Sequence, residues 1–463
     1  MLFRRVSLCF KSTLIISMIS VFSSSLYAES GAKDTTKKQV NFTADSINNI
    51  VCVDDSCFFL GEQLADGDIH VVGQVGWDSD KNLVLHTRGS IVFEQGSKIT
   101  SKKHGSIILK SGMNPGKKGE YTGTVAFRGD SYSKQIEMLG NGSVKIYYNP
   151  VKGDEEHKYH NSRSYLYSEY IKTNNGLTSY MLVNDIYDLQ HIRAFLHGSY
   201  ALSQNIDATV TRNWFNGKGF IPLASKDKWG EMPFSGNFDG NGHTIDGLYI
   251  NRPDENEIGL FGRSQGREIL HNTIENLIIK NFEIIGNHYV GSLIGAAVNT
   301  DLLNIKVINP KITSIDVGGG IIGTAFLVSM KSIGIMGNNV NIIAEENKGL
   351  VIGGAGKSSV TLAFETVQDR NYMLSAYKLL GNRDKQTQVC LENNDQTPLV
   401  CLKNVPDSDK KYNGSIDLNA FPKIVSVFIT EDLSPGEVKD YILNVESILN
   451  QCFCINKEKS GEK

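Results

Sequence analysis

The chain has 463 residues, with 47 Lys or Arg against 50 Asp or Glu and a net charge of −3. That balance creates no basic field to draw in nucleic acid or an anionic membrane surface. The length permits two or three domains, but a repeat array needs no such division, because each unit touches only its neighbours.

Arg4, Arg5 and Lys11 precede an apolar run from Leu14 to Phe22, and a small-residue stretch then ends at Ala28. This is the order of a secretory signal peptide over residues 1–28. The apolar run is too short to cross a bilayer as a helix, which takes roughly 20 residues. Cleavage after Ala28 is expected, with no transmembrane segment beyond it. Cys9 leaves with the signal, so an even set of cysteines enters an oxidising compartment, where disulfides form. Cys52 and Cys57 flank one short turn and Cys390 and Cys401 another, so local pairing within each is the expectation.

Residues 29–66 open on a polar stretch from Lys33 to Lys38 that is expected to be flexible. From Asp68 to Lys110 short apolar runs alternate with glycine turns, the text of short, regularly spaced strands. Residues 150–176 are rich in charge and lack alternation, and are expected as a surface excursion. Asn184 and Asp185 precede Ile186, Leu189, Ile192 and Leu196, a spacing that predicts a helix near 185–197. A second polar excursion is expected over 209–232. It carries Trp214, Phe215, Phe220 and Trp229, aromatic faces that suit stacking on sugar rings, although covering the side of the coil is the commoner use of such residues.

Four glycine-bracketed apolar blocks follow: Gly259 to Gly262, Gly291 to Gly295, Gly319 to Gly323 and Gly349 to Gly353. Their first glycines are 32, 28 and 30 residues apart, a period that marks stacked repeats. Each unit adds a run with period-two alternation, such as Ile274 to Ile279, so strands and not helices are stacked. A mainly β solenoid over 67–360 is therefore predicted, followed by a small α+β unit over 361–463. That unit would hold a strand at Ile424 to Ile429 and a helix after Ser434.

The ordered motifs at Tyr180 to Gln190, Tyr200 to Ala208, Gly219 to Pro222, Phe234 to Ile245 and Ile250 to Pro253 resemble the large filamentous-haemagglutinin-like adhesins exported by two-partner secretion, including the high-molecular-weight type. The glycine blocks look like the GLUG repeats such proteins carry. The resemblance covers about residues 68 to 355. It implies a right-handed parallel β-helix at a bacterial surface, a host glycan or protein as partner, and an outer-membrane export partner. The Asn-Pro-Asn motifs of the family's secretion domain are not found between Ala28 and Asp68.

Motifs of enzyme chemistry are weak. Gly353 to Ser358 has the glycines of a phosphate loop, but Val351 stands where the spacing needs glycine, so a coil corner is expected. His157 and His160 are three apart and follow their Glu, unlike the zinc-peptidase pattern. Asp239, Asp246, Asp254, Glu255 and Glu257 would act as acid and base, or hold calcium, only if neighbouring coils aligned them. The expectation is a non-enzymatic adhesin with no cofactor or metal. A polysaccharide lyase or hydrolase, or a structural envelope protein, stands as the alternative.

Overall fold

Among the described residues winding is already present at Gln39, before the predicted start at residue 67. In the computed structural model Gln39–Phe42 runs parallel to Asp68–Val71, with Val40 opposite Ile69 and Phe42 opposite Val71. Phe42 is fully buried, which is why so short an apolar pair suffices to seat the strand. The structure describes residues 39–59, 67–115, 121–130, 133–150, 159, 164–225, 232–267, 270–336, 339–345 and 347–356, then only strands at 359–364, 380–383, 388–393, 400–402 and 424–430. The signal peptide expected over 1–28, Lys33 to Lys38, His157, His160, Trp229 and the helix expected after Ser434 lie outside the described residues.

The described strands form six sheets, one of 16 strands, four of four and one of three. Neighbouring strands in them are parallel, apart from the hairpin of Ile50–Val53 with Ser56–Phe59 and two antiparallel pairs in the last sheet. This is a mainly β, solenoid-like stack. Because each strand lies on its counterpart in the next coil, like side chains stack on like. Phe238, Ile274, Leu302 and Met330 form one such column, and Phe261, Ile294, Ile322 and Ile352 another. These side chains are buried, and each contributes at roughly 25 cal/mol per Å² of apolar area removed from water.

Two devices hold the corners. Gly291, Gly319 and Gly349 stack in register. A Cβ on Gly319 would meet the Ile322 carbonyl oxygen at 1.9 Å, and one on Gly295 the backbone of Glu257 at 2.3 Å, so the blocks need glycine for close approach and not for an unusual φ. Asparagine ladders do the rest. Asn276 and Asn304 take φ of 54° and 53°, the left-handed conformation that asparagine tolerates, and Asn304 Nδ2 donates to Asn276 Oδ1 at 3.0 Å. Asn281 and Asn309 repeat the arrangement at 3.3 Å.

Several expectations need correction. The excursion at 150–176 is not wholly a surface loop: Ser164–Tyr170 is helical, and Tyr167 and Ile171 reach the core, where Phe127 stacks on Tyr170 at 5.1 Å. The helix predicted to about 197 is an α-helix only over Ile186–His191, with a 3-10 turn at Ile192–Ala194. Ile352–Gly356 is a strand of the long sheet and not a corner, and it pairs onward with Leu380–Arg383. Parallel stacking thus passes residue 360, for Ser359–Phe364 also pairs parallel with Gln388–Asn393. In that last sheet Ile424–Thr430 is antiparallel to Ser359–Phe364, and Cys390 lies opposite Cys401.

Candidate functional site

Strand Leu177–Val183 ends at a corner that is built from polar groups. Buried Asn184 donates through Nδ2 to Asn149 Oδ1 at 3.0 Å and Asp188 Oδ2 at 2.9 Å. It accepts from the Ser203 hydroxyl at 2.8 Å and, at its carbonyl, from Gln204 Nε2 at 2.8 Å. Asp185 caps the following helix, its Oδ1 accepting from the amides of Tyr187 and Asp188. Its Oδ2 accepts from the Tyr121 hydroxyl at 3.0 Å. One coil later the corner Ser203 to Asn205 leads into strand Ile206–Asp207 and the 3-10 turns of Thr209–Gly217.

Between these two corners lies a cleft of about 460 Å³, lined by Asn184, Asp185, Tyr187, Gln204, Asn205 and Asp207 among others. Its size falls within the range of small-molecule sites. Asp207 is fixed by the Thr209 hydroxyl at 2.6 Å and the Thr209 amide at 2.9 Å; those bonds hold its carboxyl below the ordinary carboxylate range, so it is charged at neutral pH. Tyr187 is 46% exposed and tilts against Trp214 at 5.4 Å between ring centroids. Trp214 in turn lies over Phe220 at 6.3 Å. A ring face, two carboxylates and three carboxamides around one cleft can recognise a polyhydroxylated ligand by stacking and by hydrogen bonds.

The predicted aromatic group is therefore divided. Phe220 is fully buried in the core, and the expectation that it stacks on a sugar is corrected. Its amide donates to the Tyr249 carbonyl at 2.9 Å, which seats the residue in a coil and not on a loop. Trp214 is the half-buried pillar behind Tyr187, and Phe215 is exposed. Sequence reasoning missed Tyr187, Gln204 and Asp207, although the Asn184, Asp185 and Asn205 corner residues gave a signal of turns.

The acidic group is divided too. Asp239 is buried, and Asp246 pairs with Lys280 at 3.2 Å and Asn281 at 2.8 Å. Asp254, Glu255 and Glu257 line a separate cavity of about 330 Å³ with Arg263, and Glu255 is engaged by Arg252 at 2.8 Å. The five carboxylates thus do not share one groove. Among the described residues no group of three or more His, Cys, Asp or Glu is arranged to hold a metal ion, and no helix is long and apolar enough to cross a membrane. Cys52 and Cys57 are joined as a disulfide across the first hairpin, a bond of oxidising compartments.

A stretch of 146 residues, 30% of the chain, is 36% identical to halomucin of Haloquadratum walsbyi (strain DSM 16790 / HBSQ001). The chain spans about 2% of the length of that relative. No family model matches the chain, and no solved structure matches it significantly.

Proposed function

We propose that the chain is an exported, surface-displayed adhesin of the filamentous-haemagglutinin-like type, a right-handed parallel β-helix whose cleft beside Tyr187 binds a saccharide. The observation that carries this reading is the cleft, which Tyr187, its exposed ring packed on Trp214, lines together with carboxylate and carboxamide groups. The stacked coils, the disulfide and the partial likeness to halomucin support it. In this reading the coils are the scaffold and the corners carry recognition, so loop chemistry can change without unfolding the stack. The chain acts by binding and not by catalysis.

The test is capture of the mature chain on an array of host and bacterial glycans, run beside Tyr187→Ala. Binding by the parent that is weakened in the variant is the expected result; an array with no glycan retained by the parent sinks the proposal. Cell fractionation checks display, and material held only in the periplasm would exclude a surface role. Incubation with acidic polysaccharides checks the absence of catalysis, since a lyase or hydrolase would release new chain ends.

A further inference from the structure

The outer face of the long sheet is hollowed between Lys110 and Asp239. Met113, Tyr147, Tyr180, Leu182 and Ala201 make a second apolar cluster there, apart from the core inside the coils. Lys110 ends strand Ile107–Lys110, and Asn241 follows strand Phe238–Asp239, four steps away in the order of the sheet. On a flat sheet four steps would hold their backbones about 19 Å apart. Yet Lys110 Nζ donates to Asn241 Oδ1, across 131 residues of sequence.

Both residues are half-buried, and what surrounds Lys110 can activate its amine. Nζ stands 5.2 Å from the centre of the Tyr147 ring, and the hydroxyl of the same ring donates to Asp239 Oδ2 at 2.6 Å. Asp239 Oδ1 accepts from the Asn241 amide at 2.7 Å, so the carboxylate lies against the residue that Lys110 meets. Burial lowers the Lys110 pKa, partly opposed by the Asp239 charge and assisted by Lys145. His86, the register partner of Lys110 in the preceding strand, and His243 are held to about 4, by burial first and then by the Lys110 charge. Both imidazoles are neutral at pH 7. The Asn241 amide is oriented by Nδ2 donating to the Leu202 carbonyl at 3.3 Å.

We infer that Lys110 and Asn241 become covalently joined, the Lys110 amine displacing ammonia from the Asn241 side-chain amide to leave an isopeptide bond. The ammonium first gives one proton to the neighbouring carboxylate of Asp239. The freed Nζ lone pair attacks Cγ of Asn241, the Cγ–Nδ2 bond breaks, and protons from Nζ and the base leave with the nitrogen as ammonium. One N–C bond forms, one breaks, and no oxidant or co-reactant is consumed. The competing attack on Cγ, by the Gly242 amide to give a succinimide, is opposed because that amide already donates to the Asn276 carbonyl at 2.8 Å.

Intact mass of the reduced, denatured mature chain tests the bond. The expected value is below that of the sequence by one ammonia, about 17 Da, and a tryptic digest should yield a branched pair of peptides joined through Lys110 and Asn241. Lys110→Arg keeps a donor for Asn241 but no nucleophilic amine, and should restore the full sequence mass. A parent chain of full sequence mass overturns the inference. So does a mass deficit that persists in Lys110→Arg, which would report the succinimide. The branched peptide from the parent chain decides the matter even if the variant does not fold.

Discussion

The Tyr147 hydroxyl donates to Asp239 Oδ2 at 2.6 Å, joining two buried side chains that lie 92 residues apart. Burial, then the Asp239 charge, push the Tyr147 pKa up, so the phenol remains a donor. Tyr147→Phe keeps the ring stacked on Tyr180 at 4.9 Å but takes one donor from a buried carboxylate. A loss of about 1–3 kcal/mol is expected for that change. Urea unfolding measures it, and an unchanged midpoint would show that Asp239 does not need the phenol.

The glycine columns make a sharper test of stacking. Gly319→Ala forces a Cβ against a backbone carbonyl, whereas a Cβ on Gly76 meets nothing within 4 Å. We expect the first to cost about 2 kcal/mol or more and the second close to zero. Leu293, fully buried within its glycine block, gives the larger effect. Leu293→Asp strands a charge in the core and should cost several kcal/mol, read as a large fall in melting temperature.

Acid sensitivity follows from His86 and His243. Each has a folded pKa of about 4 against an ordinary 6.5, so the unfolded chain binds more protons between those values. Stability therefore rises with pH across that window and is lost as pH falls from 6.5 towards 4, by about 1–2 kcal/mol for each imidazole after allowance for solvent screening. His86 faces Lys110, His243 and Arg88, and His243 faces Lys110 and Asp239. Melting temperatures measured from pH 7 to 4 should flatten in His243→Gln; an equal slope in parent and variant would assign the acid loss elsewhere.

At the cleft, the ring and not the hydroxyl of Tyr187 is expected to matter. Tyr187→Phe should bind the captured glycan nearly as well as the parent, while Tyr187→Ala should weaken it about tenfold, the value of one aromatic face. Isothermal titration separates the two, and equal losses in both variants would move recognition from the face to the phenol oxygen.

Local periodicity made the later coils legible. Gly259, Gly291 and Gly319 announce a coil because close backbone approach excludes a Cβ at those sites, and Gly349 lies in register with Gly319. The preceding coil was missed because it lacks the bracket: Leu223 bridges to Phe261, but Ala224, at φ 57°, stands in place of a glycine. Gly353 to Gly356 read as a turn from its glycines, yet it is a strand, since pairing on both sides overrides local preference. The cleft was harder to read. Asp185 and Asp207 are both corner residues, and only the stacking of successive coils puts them on one cavity. The meeting of Lys110 with Asn241 has no local signal at all, because it depends on how five strands curve.

Strand Ile294–Ile308 pairs with Ile322–Met336 at one constant offset of 28 residues. Removing 294–321, or duplicating it, would join ends already facing the same way on matching neighbours. Loss or gain of that segment would therefore change the length by one whole coil and leave the interior columns in register.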